Sequence, residues 1–227
     1  MSKVVIQGNA SGTGNFTIAA PNSNTDRTFN LPDETGSILT SSSSIASSQL
    51  PTDAKGFVLL NSVTATSGDA DVSFTLDTTN YDDFKIIISN LLAATTSSAL
   101  QLRYSTDNGS SYASTSSYAR SSIGRRHAGS TDVESSNADS VGQITVSESI
   151  MGADAGETYG VECTLIGAST DYAKLIATTS GKNTVGNMAF TLAAIQFQNT
   201  SPITNIKFFL SAGNIATGTF KLYGLAK

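Results

Sequence analysis

The chain reads as an all-β protein: a short intertwined N-terminal β stalk followed by an antiparallel β-sandwich of jelly-roll type. Three observations predict this. From Phe57 onward apolar residues recur with period two, the mark of strands with one buried face. No stretch carries a 3.6-residue apolar period; Leu91-Leu92-Ala93-Ala94 is cut short by Thr95 and Thr96. Gly, Asn, Ser and Pro punctuate the apolar runs as turn residues do between strands.

In chain order, residues 1–40 contain short apolar patches at Val4 to Ile6, Phe16 to Ile18 and Phe29 to Leu31. Strands this short do not hold together alone, because an isolated hairpin is marginal in water. The segment therefore borrows its core from identical copies around a symmetry axis. Val5, Phe16, Ile18, Phe29 and Leu31 are the expected stalk contacts. Residues 41–56, beginning Ser41-Ser-Ser-Ser-Ile45, have the composition of a linker. Residues 57–227 form the sandwich knob.

Within the knob, each alternating run is read as a strand. Val72, Phe74 and Leu76 come first, then Phe84, Ile86 and Ile88, then Leu100, Leu102 and Tyr104. Ile144 with Val146, and Val161 with Cys163 and Leu165, follow the same rule. Met188, Phe190 and Leu192 precede Ile206, Phe208 and Leu210, and Phe220 with Leu222 closes the series. The phase slips between Leu192 and Ile195, which predicts a bulge or bend. Asp107-Asn108-Gly109 is a strong turn signal. The Ser- and Gly-rich stretch from Arg120 to Ser140 reads as a long loop. About ten strands without helical crossovers favour an antiparallel sandwich over a parallel sheet.

Composition narrows the function. The net charge is −5, from 18 acidic and 13 basic residues, so the basic footprint of a nucleic-acid binder is missing. No run approaches the roughly 20 apolar residues of a membrane helix, and the start has no secretory h-region. Cys163 is the single cysteine, which precludes an internal disulfide and reads as a small core residue. A Ser, Thr, Asn and Gly surface without an export signal fits a particle protein released by lysis.

Catalytic and metal constellations are thin. One His and one Cys exclude a His-based metal cluster within one chain. A Ser-His-Asp triad would have to draw on His127, in the stretch read as a loop. Paired carboxylates, Asp69 with Asp71 or Asp82 with Asp83, are formally available for glycan cleavage. Neighbours on a strand point to opposite faces, so the latter pair reads as a polar turn. Gly12-Thr13-Gly14 opens no helix and is no dinucleotide motif. The expectation is no catalytic residue, no metal and no cofactor.

The segment Ile6-Gln-Gly-Asn-Ala-Ser-Gly-Thr-Gly-Asn-Phe-Thr-Ile-Ala-Ala-Pro21, continued by Arg27-Thr-Phe-Asn-Leu-Pro-Asp-Glu-Thr-Gly-Ser-Ile-Leu39, resembles one common in tail-fibre and other virion proteins of tailed bacteriophages, marine and cyanobacterial phages among them. Leu31-Pro-Asp-Glu-Thr-Gly36 is its most recognisable piece. Tyr81-Asp-Asp-Phe-Lys-Ile-Ile-Ile-Ser-Asn-Leu91, Leu100-Gln-Leu-Arg-Tyr-Ser-Thr-Asp-Asn-Gly-Ser-Ser-Tyr112 and Gly218-Thr-Phe-Lys-Leu-Tyr-Gly-Leu225 are similar to domains attached to such proteins. The resemblance implies a non-enzymatic virion protein: a homotrimeric tail fibre or spike for host attachment, or a capsid decoration or head fibre. Its expected partners are its own copies, other virion proteins through the N-terminal segment, and a host-surface glycan, with no nucleic acid and no membrane insertion.

Sugar sites set aromatic faces beside polar groups. Arg103, Tyr104, Tyr112 and Tyr118 surround the Asn-Gly turn, with Arg125, Arg126 and His127 further along, and these seven are the candidate receptor-binding residues. Against this stands the plainer reading that the tyrosines cap the sandwich or line a subunit interface, where Tyr and Arg are enriched.

Overall fold

In the computed structural model, the described residues are 56–227 without 128, 148–149, 170–171 and 227, together with 11–14, 22, 24–26 and 28. The chain divides into two compact units, Met1–Ser43 and Ser44–Lys227. The stalk contacts predicted at Val5, Phe16, Ile18, Phe29 and Leu31, and the linker apart from Gly56, lie outside the described residues.

The second unit is an antiparallel β-sandwich. Its strands are β1 Phe57–Asp69, β2 Asp71–Thr75, β3 Tyr81–Ala93, β4 Leu100–Ser105, β5 Tyr118–Arg126 and β6 Thr131–Asp139. They continue with β7 Gly142–Gln143, β8 Tyr159–Ile166, β9 Lys174–Lys182, β10 Met188–Phe197, β11 Asn205–Leu210 and β12 Ile215–Ala226. The large sheet has the order β1-β12-β3-β8-β9-β10-β5-β6, and the small one β2-β11-β4-β7. The first strand pairs with the last and the second with the eleventh, as in the double wrapping of a jelly roll. The hairpins β9–β10 and β5–β6 extend the large sheet beyond β8.

Period two explains the core. Phe74, Phe84, Ile86, Leu102, Phe208 and Phe220 are buried at alternate positions of strands from both sheets. The Phe208 and Phe220 rings meet across the sandwich, 6.2 Å between centroids. Burying a side chain of this size contributes about 2 kcal/mol. The Asp107-Asn108-Gly109 turn has the expected positive φ, 58° at Asn108 and 82° at Gly109.

Two expectations are corrected. The stretch Arg120–Ser140 is the hairpin β5–β6, not a long loop. Its polar composition hid a strand pair that Arg120 ties together, donating 2.6 Å bonds to Glu134 on β6 and to Asp139 at its end. The phase slip in β10 is not a bulge either, because Met188–Phe197 runs in unbroken register with both neighbours. The strand has apolar residues on both faces. Ala189, Thr191, Ala193, Ile195 and Phe197 point inward, and Met188, Phe190 and Leu192 point outward.

Near Met188 the inner face of the added hairpins carries small residues, Ala189, Thr191 and Thr179, and the segment between β7 and β8 adds buried side chains of its own. Ile144, Val146 and Met151 of that segment are buried. Met151 bridges to both Ser98 and Asn183.

Candidate functional site

The structure divides the seven candidate receptor-binding residues into three groups. Tyr104 and Tyr118 are fully buried, their ring centroids 5.9 Å from each other and 5.2 and 5.6 Å from that of Phe197. Burial pushes both phenols up from their ordinary value. Neither offers a ring face to a sugar, so both are core residues rather than receptor contacts. Apolar packing won over the Asn-Gly turn's proximity in sequence.

Arg103 and Tyr112 belong to the outer side of the small sheet. The Arg103 guanidinium sits 5.2 Å from the Phe209 ring centroid, and the Lys207 ammonium 4.5 Å from that of Tyr112. Cations already occupy these aromatic faces. Lys207 also reaches Asp71 at 3.5 Å.

Arg125, Arg126 and His127 lie at the far end of β5. They are about 27 Å from Tyr118 along the strand, at roughly 3.3 Å per residue. The seven residues therefore do not form one site. The three basic ones line a cavity of about 320 Å³ with Ser180, Met188, Ala189 and Phe190. Phe190 is directly opposite Arg125 in the ladder, and His127 N–H donates to the Met188 carbonyl at 2.8 Å. The arrangement sets cationic groups beside an exposed aromatic ring, which suits a ligand with an anionic group and an apolar face.

Next to this cavity, the middle of the outer face of the added hairpins is apolar, with Arg125, Lys174 and Lys182 at its margins. Val133, Ile123 and Leu192 lie side by side across β6, β5 and β10, followed by Thr178 of β9 and then Glu162 of β8. The neighbouring row reads Ser135, Ser121, Ala194, Ile176 and Thr164. Val133 is 69 % exposed, Leu192 46 % and Ile176 46 %. Beside this row of small residues runs a groove of about 480 Å³, lined by Ala119, Ser121, Ala194, Ile176 and Ile166 together with the charged Arg120 and Lys174.

Sequence reasoning missed this surface because it assigned Met188, Phe190 and Leu192 to the core. The available signal was the apolar residue at nearly every β10 position, which requires partners on both faces.

No protein-family model, curated protein or solved structure matches this chain. The site must therefore be read from its own geometry.

The four carboxylates weighed for glycan cleavage have structural work. Asp69 accepts from the Thr66 N–H at 2.8 Å, at the irregularity where β1 leaves β12. Asp71 faces Lys207. Asp82 accepts from the Ser169 hydroxyl, and Asp83 from the Gly167 N–H at 2.9 Å, which fixes the β8–β9 connection. Among the described residues, no group of three or more His, Cys, Asp or Glu side chains is placed to hold a metal ion. Cys163 is buried, and burial pushes its thiol up.

Proposed function

We propose that this chain is a non-enzymatic structural protein of a phage virion, a homotrimeric tail fibre or spike whose sandwich knob meets the host surface. The observation that carries the reading is the outer face of the large sheet. It combines an exposed apolar surface with a neighbouring basic, aromatic-lined cavity, a combination suited to contact with other macromolecules. The phage-like opening segment, Ile6 to Leu39, supports the same reading and would anchor the knob to other virion proteins.

In this reading the cavity of Arg125, Arg126, His127 and Phe190 takes an acidic host-surface glycan, its carboxylate or phosphate on the guanidinium groups and its ring on Phe190. Three copies on one axis turn weak single-site contacts into firm attachment through effective concentration. Neither nucleic acid nor membrane insertion enters the mechanism.

Antibody labelling of intact particles tests the reading. Label at the tail tip or on fibres is expected. Label spread over the capsid would replace the fibre with a shell-decorating protein, and absence from particles would end the virion reading. Purified protein incubated with host polysaccharide is expected to release no reducing ends. Release that a carboxylate substitution abolishes would overturn the non-enzymatic assignment.

A further inference from the structure

We infer that the outer face of β5, β6, β9 and β10 is a self-association surface, covered by the same face of a second copy of this chain. The inference rests on the virion reading above but not on its three-fold axis: a two-fold contact pairs two knobs, so this face would join knobs of different trimers.

The first argument is area. Val133, Ile123, Leu192, Ile176 and Ile166 are each between 39 and 69 % exposed. Together they present roughly 450 Å² of apolar surface, within the range for the largest patch on a monomer. A stable interface takes about 800 Å² from each partner, so this patch would form the apolar centre of one, with the polar rim around it supplying the rest.

The second argument is charge. The chain carries 31 formally charged side chains, 18 acidic and 13 basic, yet across β6, β5, β10 and β9 the two central rows hold none, and Glu162 of β8, next to Thr178, is the first charge beyond them. Charges begin at the margin, with Arg125 opposite Phe190 and Lys174 opposite Gln196. Uncharged cores with charged rims characterise permanent homo-oligomeric contacts more than transient ones.

The third argument is shape. The row of Val133, Ile123 and Leu192 makes a ridge, and Ser135, Ser121 and Ala194 make a low row beside it that opens into the 480 Å³ groove. Ridge and groove adjoin on one patch. A second copy turned about a two-fold axis seats its ridge in this groove and receives the first copy's ridge in return, which is the self-complementarity an isologous contact requires.

The test uses the full chain. Val133→p-benzoylphenylalanine places a photo-cross-linker at the most exposed ridge position without disturbing the core. Illumination at micromolar concentration is expected to give a two-chain adduct whose mapped attachment falls near Ile176 and Ala194. Adducts only within one chain, for example to residues 1–55, would assign the face to the chain's own N-terminal segment and overturn the inference, as would the absence of adducts. Leu192→Glu, a surface change, is expected to lower the two-chain yield of the photo-cross-linking variant at least tenfold while leaving the circular dichroism spectrum intact. An unchanged yield would also overturn it. Particle labelling is indifferent to either result, so a failure here is distinguishable from a failure of the virion reading.

Discussion

The backbone N–H of Tyr104 donates a 2.8 Å hydrogen bond to the Tyr118 phenolic oxygen, while among the described residues the Tyr104 hydroxyl has no hydrogen-bond partner. The two tyrosines pack together but their hydroxyls have different value. Tyr118 also reaches the Ala113 carbonyl at 3.3 Å, so its oxygen closes the turn between β4 and β5. Tyr118→Phe strands a buried N–H and is expected to cost about 1–2 kcal/mol. Tyr104→Phe removes a buried group with no partner and is expected to be neutral or stabilising by up to about 1 kcal/mol. Urea unfolding of both variants checks the contrast, and equal losses would contradict it.

Arg120 holds β6 to the sheet. Its side chain is 13 % exposed, with Glu134 and Asp139 each 2.6 Å away. Glu134 also accepts from the Ser147 N–H at 3.1 Å and from Gln143 at 3.3 Å, which ties the β7–β8 segment to the same centre. Arg120→Met leaves two carboxylates facing one another in a partly dry site. The expected loss is about 2–3 kcal/mol, since removing one partner of a buried ion network costs more than the network contributes net. Amide exchange should accelerate in β6 before it does in β12, and uniform acceleration would count against a local role.

Asp107 gives the knob a pH-dependent turn. Its carboxylate accepts from the Ser105 hydroxyl at 2.7 Å, and from the hydroxyl and N–H of Ser111 at 2.6 and 2.9 Å. These bonds, the one from Ser105 foremost, lower its pKa from 3.8 to about 2. A carboxylate with a depressed folded-state pKa stabilises fully above the unfolded value and loses that contribution as pH falls through the folded one. The turn is therefore expected to stay closed at pH 4 and to open as pH approaches 2. The Ser111 amide resonance should titrate with a midpoint near 2, and Asp107→Asn should abolish that titration. A midpoint near 4 would show that the three bonds do not act on the carboxylate.

Strand positions in the sandwich were legible where one face is apolar and the other polar. Phe84, Ile86 and Ile88 alternate with Lys85, Ile87 and Ser89, and the buried set follows directly. Legibility failed where that contrast is lost. In β10 both faces are apolar, so the larger side chains drew the inward assignment, although the close-packed inner face admits only Ala and Thr at that end. In β6 neither face is strongly apolar, and the strand is set by pairing with β5 and by Arg120. The binding surface was partly legible, since Arg125, Arg126 and His127 do share a cavity. Phe190 came from another strand, and only the ladder brings it opposite Arg125.

The β8–β9 pairing contains a position where only glycine fits. Gly181 is opposite Tyr159, and a Cβ there would lie 2.5 Å from the Tyr159 ring and 2.6 Å from the Thr158 carbonyl oxygen. Tyr159 is itself buried, so the ring has nowhere to retreat. Gly181→Ala is expected to destabilise by about 1–3 kcal/mol through overpacking. Placing the same change in a Tyr159→Ala background separates the two contacts, because it removes the ring and leaves the carbonyl. The cost of Gly181→Ala should fall in that background but stay above zero, with a coupling of about 1 kcal/mol in a double-mutant cycle. Additive losses would mean that the backbone carbonyl alone sets the limit and that Tyr159 is free to move.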